Sequence, residues 1–228
     1  RGSIVVQVQQ RGVSADSVHA VVRRIAQNDH VTVHAVDRGL TPQGPDLGSA
    51  GSEILEKPEV ALLTGTGGES RYGGAGPYNA GEVWHLLNER MKMPVSLIDI
   101  QDVGGIDLSD YNTMVLAGGS YNSLPTEDVK DWVRSGGTLI GIQSGTEWPV
   151  EQGLVDLEEH SLDVDSLLQD RSYAELPNAY GAQGIGGSIF QVQLDPTHPV
   201  AYGYDETVPV FRSGTSFYTP SDEPGASV

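Results

Sequence analysis

The chain has 228 residues, enough for one large α/β domain with a small appendage, and no apolar run approaches the roughly 20 residues that span a bilayer. Thirteen basic residues stand against 31 acidic ones, which gives a formal net charge of −18 at pH 7. Such a surface repels phosphate backbones and anionic lipids, so neither nucleic acid nor a membrane is expected as a partner. The absence of cysteine excludes disulfides, thiolate catalysis and cysteine-ligated zinc.

Residues 1–57 predict a small βαβ-like unit followed by a connector. Residues 3–8 alternate in the manner of a strand, and residues 31–36 resume this β pattern. Between them Ser14 is a suitable helix cap. The apolar positions after it repeat at helical spacing: Val18, Val21, Val22 and Ile25. The unit is too small to bury much surface alone, so it is expected to dock on the following domain or on an upstream one.

Residues 58–220 predict a doubly wound α/β domain, and residues 221–228 a tail. Amphipathic helices are predicted after a glycine-rich loop and after Pro125, and the chain between Trp148 and residue 188 is expected to be irregular. The predicted strands are short and mostly apolar: residues 60–63, 94–100, 111–117, 137–142, 188–194 and 208–212.

The segment Gly141-Ile142-Gln143-Ser144-Gly145 follows one of these strands and has the form of a nucleophile elbow without a nucleophile. Glycines at both ends permit a sharp strand-to-helix turn, which presents the central residue above the sheet. That residue is Gln143, whose amide donates and accepts hydrogen bonds but cannot attack a carbonyl carbon. The sequence therefore predicts an enzyme's architecture without its chemistry.

Residues 111–119 and 136–142, joined by an amphipathic helix, resemble the class I glutamine amidotransferase superfamily. That superfamily has a flavodoxin-like fold and places a cysteine at the centre of G-x-C-x-G. The resemblance implies a three-layer α/β/α sandwich with a mostly parallel, flavodoxin-like sheet. Because Gln143 stands at the nucleophile position, the resemblance implies a domain without glutaminase activity. This segment is therefore expected to be non-catalytic.

Three further stretches, at residues 44–49, 80–87 and 197–204, are similar to the C-terminal region of bacterial zinc carboxypeptidase-like proteins. In that group an amidotransferase-like domain follows a metallopeptidase domain. The resemblance implies an accessory domain that stabilises or docks to the upstream peptidase domain, or binds a small ligand or peptide. Zinc is then expected only in the upstream domain, and the location is expected to be periplasmic or extracellular through the parent protein. The first residue is Arg1 rather than methionine, which favours a piece of a longer protein.

The expected ligand pocket lies where the parallel strands end, because open α/β sheets bind ligands at that edge. Its predicted members come from three loops: Arg71, Tyr72, Gly118, Gly119, Ser120, Gln143, Ser144 and Trp148. The first of these loops lacks the third glycine of a dinucleotide fingerprint, since Ser70 takes that place.

Two other interpretations stay open, a pure interaction module and a hydrolase that uses Ser144, Glu147 or His160 at the same edge. Ser144 lies one residue past the elbow centre, and G-x-S-x-G would need glycines where Ile142 and Thr146 stand. Glu147 is a general acid–base candidate provided that it is buried. No metal site is expected, because zinc needs close ligand pairs plus a third group, and His160 with Asp163 is the nearest such spacing.

Overall fold

The structure is a computed structural model in which the chain forms two compact units. The larger contains Lys57–Gln191 and Pro209–Ser227, and the smaller contains Arg1–Glu56 and Val192–Val208 together with Val228. The residues that the structure describes are 3–29, 31–50, 52–65, 73–160, 169, 171–214 and 217–219.

The larger unit is built on a six-stranded, mostly parallel sheet. Its strands are β1 (Val60–Thr64), β2 (Gly74–Ala75), β3 (Val95–Asp99), β4 (Thr113–Leu116), β5 (Gly119–Ser120) and β6 (Thr138–Gly141). Strand β1 is central, with β3 parallel to it on one side and β4 parallel on the other, and β6 extends the sheet beyond β4. Strands β2 and β5 form a short antiparallel pair at the carboxyl end of β1. The predicted mixed α/β fold with a mostly parallel sheet is confirmed.

Helices cover both faces of this sheet. The α-helices among the described residues are α1 (Ala15–Asn28) in the smaller unit and α2 (Pro77–Trp84), α3 (Thr126–Arg134), α4 (Glu147–Glu151) and α5 (Leu176–Gln183) in the larger. A π-helical turn, His85–Arg90, continues α2. Side chains of β1 alternate between two cores: Leu62 packs on the α2 face and Leu63 on the face of α3 and α4. Both leucines are fully buried, so β1 anchors both layers.

Helix α3 carries charged residues at the ends that the helix dipole favours. Glu127 and Asp128 lie in its first turn, where the helix dipole favours negative charge, and Arg134 lies in its last turn. Trp132 is 7% exposed, and its indole N–H donates to the main-chain oxygen of Tyr111 at 3.0 Å. After the helix the chain passes so close beneath this indole that residue 137 must be glycine, since a Cβ there would overlap the ring.

The smaller unit corrects the predicted βαβ-like arrangement. Helix α1 begins after Ser14, whose hydroxyl accepts a hydrogen bond from the amide of Ser17, as expected of the cap. Residues 3–8 and 31–36, however, form no strands. Val18 is the buried residue of α1, and the apolar side chains of both flanking segments stay exposed. The two predicted strands are therefore wrong, because alternation yields a strand only where another edge supplies hydrogen-bond partners.

Two small sheets lie outside the main one. Strand β8 (Ile185–Gln193) pairs with β9 (Thr207–Gly214), which confirms both strands predicted late in the chain. Strand β7 (Glu159–His160) pairs antiparallel with β10 (Phe217–Tyr218). Helices α4 and α5 were not predicted from the sequence. The predicted tail, residues 221–228, lies outside the described residues. Within the described part of the chain, no helix combines the length and apolarity needed to cross a bilayer.

The contact between Gly137 and Trp132 gives the first testable prediction. Gly137→Ala should lower the free energy of unfolding by about 1–3 kcal/mol, because the added methyl group overpacks the indole that seals α3 onto the sheet. Gly104→Ala is the matched control, because a Cβ there meets open space. Its effect should stay within about 0.5 kcal/mol in urea unfolding followed by tryptophan fluorescence. Equal effects of the two substitutions would contradict this packing argument.

Candidate functional site

Gln143 stands at the crest of the turn that leaves the carboxyl end of β6. A short 3-10 helix, Gln143–Thr146, begins at this residue and leads into α4. The backbone of Gln143 has φ of 55°, in the left-handed region that residues with a Cβ rarely adopt. The hydroxyl of Thr146 donates to the main-chain oxygen of Gln143 at 2.7 Å and holds the turn closed. The Gln143 side chain is exposed above the sheet.

The two glycines of this turn are required by packing against β4. The amide of Ile142 donates to the main-chain oxygen of Leu116 at 2.9 Å, which continues the pairing of β4 with β6. A Cβ on Gly145 would collide with that same carbonyl group and would lie 2.8 Å from the oxygen of Ala117. A Cβ on Gly141 would lie 2.9 Å from the oxygen of Gly145. Side chains at either position would push the turn away from the sheet.

Asn79 is a member of the site that the sequence pattern did not single out. It is the third residue of α2, and its Nδ2 donates to the main-chain oxygen of Gly118 at 2.7 Å. A Cβ on Gly118 would lie 2.7 Å from this Nδ2 and would overlap Oε1 of Gln143, so the two amides converge over Gly118. The available signal was Pro77, because a proline after a glycine-rich loop marks a helix start, here at the carboxyl edge of β1.

Ser144 binds the main chain of β5. Its Oγ accepts a hydrogen bond from the amide of Gly119 at 2.9 Å and donates one to the oxygen of the same residue at 3.2 Å. One hydroxyl thus satisfies both polar groups of Gly119 and ties the elbow to the neighbouring loop. A serine nucleophile needs an adjacent base to take its proton, whereas this proton is directed at a carbonyl oxygen.

Tyr121 fixes the other end of the loop that carries Gly118, Gly119 and Ser120. Its side chain is 2% exposed, and the phenol donates to the main-chain oxygen of Ala117 at 2.7 Å. Burial raises the pKa of Tyr121 above its usual value, because the charged phenolate would lose its hydration. The exposed Ser120 is therefore held at the edge of the site between two anchored positions.

The remaining predicted residues lie in different surroundings. Trp148 is 2% exposed and packs in the core on the α3 face. Glu147 is exposed, so it lacks the burial that its general acid–base role requires. His160 is exposed in β7, opposite Phe217, and belongs to a sheet other than the one that carries the elbow. Arg71 and Tyr72 lie outside the described residues.

No cluster of three or more histidine, cysteine, aspartate or glutamate side chains suited to a metal ion occurs in the described part of the chain. His160 forms part of a two-residue strand, while Asp163, its predicted neighbour, lies outside the described residues.

The described residues of the site offer hydrogen-bonding groups around Gln143. The Gln143 amide supplies a donor and an acceptor, Asn79 lies beside it, and Ser120 adds a hydroxyl at the rim. Compared with the models of known protein families and with curated proteins, the chain matches none.

The role of Ser144 can be tested through stability. Ser144→Ala should lower the free energy of unfolding by about 1–3 kcal/mol, because the amide and the carbonyl of Gly119 both lose their partner. Ser120→Ala is the control, since this exposed serine stands next to Gly119 on the same strand. Its effect should stay within about 0.5 kcal/mol in the same denaturant titration. A negligible loss in Ser144→Ala would contradict the structural role of the hydroxyl.

The buried phenol predicts a pH dependence at the alkaline end. In the unfolded chain a tyrosine ionises near pH 10, whereas native Tyr121 keeps its proton to higher pH, so stability falls as the pH rises above about 10. This one group contributes a slope of about 1.4 kcal/mol per pH unit there. Tyr121→Phe should unfold more easily at pH 7, because the oxygen of Ala117 loses its donor, but should show a shallower slope above pH 10. Identical slopes in the two proteins would refute the prediction.

Proposed function

We propose that this chain is a non-catalytic, class I glutamine amidotransferase-like accessory domain that binds a neutral, amide-bearing ligand over Gln143. The ligand is a small molecule or a peptide segment. The observation that supports this most directly is the exposed amide of Gln143 at the crest of a strand-to-helix turn, with φ of 55°. In the superfamily that the sequence resembles, a cysteine occupies this position.

The arrangement of the strands supports the flavodoxin-like part of the proposal. Apart from the two-residue strand β2, which also pairs parallel with β1, the parallel strands run β3, β1, β4, β6 across the sheet. In chain order these are the second, first, third and fourth strands of the parallel core. Flavodoxin-like sheets follow the order 2-1-3-4-5, and they bind ligands between the first and third of these strands. Those two strands are β1 and β4 here; Asn79 lies on α2, the helix that follows β1, and Gly118 lies in the loop after β4.

The left-handed backbone of Gln143 also favours a functional side chain. A non-glycine residue in this region costs about 1–3 kcal/mol, and such residues cluster at ligand sites. Glycine would remove that cost. None of the hydrogen bonds among the described residues uses the Gln143 side chain, so folding by itself gives no reason to keep the amide at this point.

Charge and hydrogen-bonding capacity select the ligand class. With a net charge of −18, the protein disfavours an anionic ligand. The Gln143 amide offers a donor and an acceptor side by side, and a carboxamide or peptide group has the complementary pair. Two such hydrogen bonds fix the orientation of the bound group without changing it chemically.

We further propose that the parent protein is zinc carboxypeptidase-like, with its zinc in an upstream peptidase domain, and that it acts in the periplasm or outside the cell. In that setting the accessory domain docks to the peptidase domain or presents a peptide to it. The alternative of a hydrolase has less support, since Ser144 is bound to Gly119 and Glu147 is exposed.

The proposal is tested by titrating tetraglycine with acetylated and amidated ends, which carries no charge, against isotope-labelled protein and following the side-chain amide resonances by NMR. We expect saturable shifts at Gln143 and Asn79, and at least about tenfold weaker binding in Gln143→Ala and Asn79→Ala. Asn178→Ala is the matched control, because Asn178 is likewise the third residue of its helix, α5, and is exposed. It should bind as the unmodified protein does.

Two results would count against the proposal. One is that tetraglycine shifts no resonance near Gln143, or binds all variants equally. The other is sustained release of ammonia from L-glutamine by the unmodified protein, because a non-catalytic domain cannot turn this substrate over.

A further inference from the structure

A hollow lies in the larger unit, on the face of the sheet that α3 and α4 cover. It has a volume of about 300 Å³. Its walls come from β6, from the elbow, from α4 and the segment that follows it, from α3, and from β10. Its lining includes Val133, Leu139, Thr146, Val150, Val155 and Tyr218.

Among the residues that the structure describes, the lining of this hollow contains no charged side chain. This contrasts with the whole chain, in which 31 of 228 residues are acidic. An ion placed there would lose hydration without gaining a partner, which disfavours both anions and cations. The hydroxyls of Thr146 and Tyr218 are the polar side-chain groups of the wall, and the rest is mainly aliphatic. A ligand suited to these walls is neutral and mostly apolar.

The size of the hollow sets the scale of that ligand. An apolar cavity of about 150 Å³ accepts one benzene molecule, and small-molecule sites begin near 300 Å³. The hollow thus has room for a two-ring aromatic group or a branched aliphatic chain. Its lining comes from several elements, which distinguishes it from the apolar face of a single helix or strand.

We infer that this hollow is a binding site for a neutral, apolar small molecule of about the size of indole. The site is separate from the amide pair above the sheet, and the inference does not depend on the proposed function. The two sites share the elbow, since Gly141 and Thr146 line the hollow while Thr146 holds the main-chain oxygen of Gln143. A bound apolar ligand therefore contacts the turn that presents Gln143.

Strand β6 supplies a matched pair of substitutions. Leu139 lines the hollow, whereas the next residue, Ile140, points to the opposite face and is 41% exposed. Leu139→Phe should fill part of the hollow, while Ile140→Phe adds the same group on the other side. Val155 also lines the hollow and is 43% exposed, so Val155→Phe should occupy part of its volume with little risk to folding.

The test is isothermal titration calorimetry with indole on the full chain, with folding checked by the thermal midpoint of each variant. We expect saturable binding to the unmodified protein and to Ile140→Phe with similar Kd, and at least about tenfold weaker binding to Val155→Phe and to Leu139→Phe. Indole-3-acetate, the anionic analogue, should bind more weakly than indole. Absence of saturable indole binding to the unmodified protein would overturn the inference. Equal affinity of Leu139→Phe, Ile140→Phe and Val155→Phe for indole would also overturn it.

Discussion

The close approach of the elbow to the end of β4 is the constraint on which the rest of the site depends. Gly145 lies against the carbonyl groups of Leu116 and Ala117 with no room for a side chain, and the amide of Ile142 bonds the first of them. Because the turn is pinned there, Gln143 is forced into its left-handed conformation above the sheet. Loss of this contact would release Gln143 and Ser144 from their positions beside Gly118 and Gly119.

Around this contact the structure uses main-chain hydrogen bonds to stiffen a loop rich in glycine. Ser144 satisfies both polar groups of Gly119, Asn79 binds the carbonyl of Gly118, and Tyr121 binds that of Ala117. Glycines lose more conformational freedom on folding than other residues, so such a loop needs several fixed points to keep one shape. The result is a rigid rim around an amide, which suits recognition of a ligand by hydrogen bonds.

Local patterns predicted the elements whose partners are close in sequence or whose signals are strong. Strands β1, β3 and β4 fall where apolar runs indicate them, and helix α3 falls where Pro125 and the acids of its first turn indicate a helix start. The strands expected on either side of α1 fail, because their alternation gives no information on whether a neighbouring edge exists. Helix α4 was missed, because Trp148 and Pro149 are buried by tertiary packing that a five-residue stretch does not reveal.

For the site, the sequence by itself determined the chemistry at the crest: an amide between two glycines after a strand, with no cysteine anywhere in the chain. Only the tertiary structure decided which groups surround that amide. Asn79 and Gly118 come from distant parts of the chain, and the hydroxyl of Ser144 is turned toward Gly119 rather than toward a base. Such pairings depend on how parallel strands order themselves across the sheet, and this order follows from burial on both faces rather than from any local pattern.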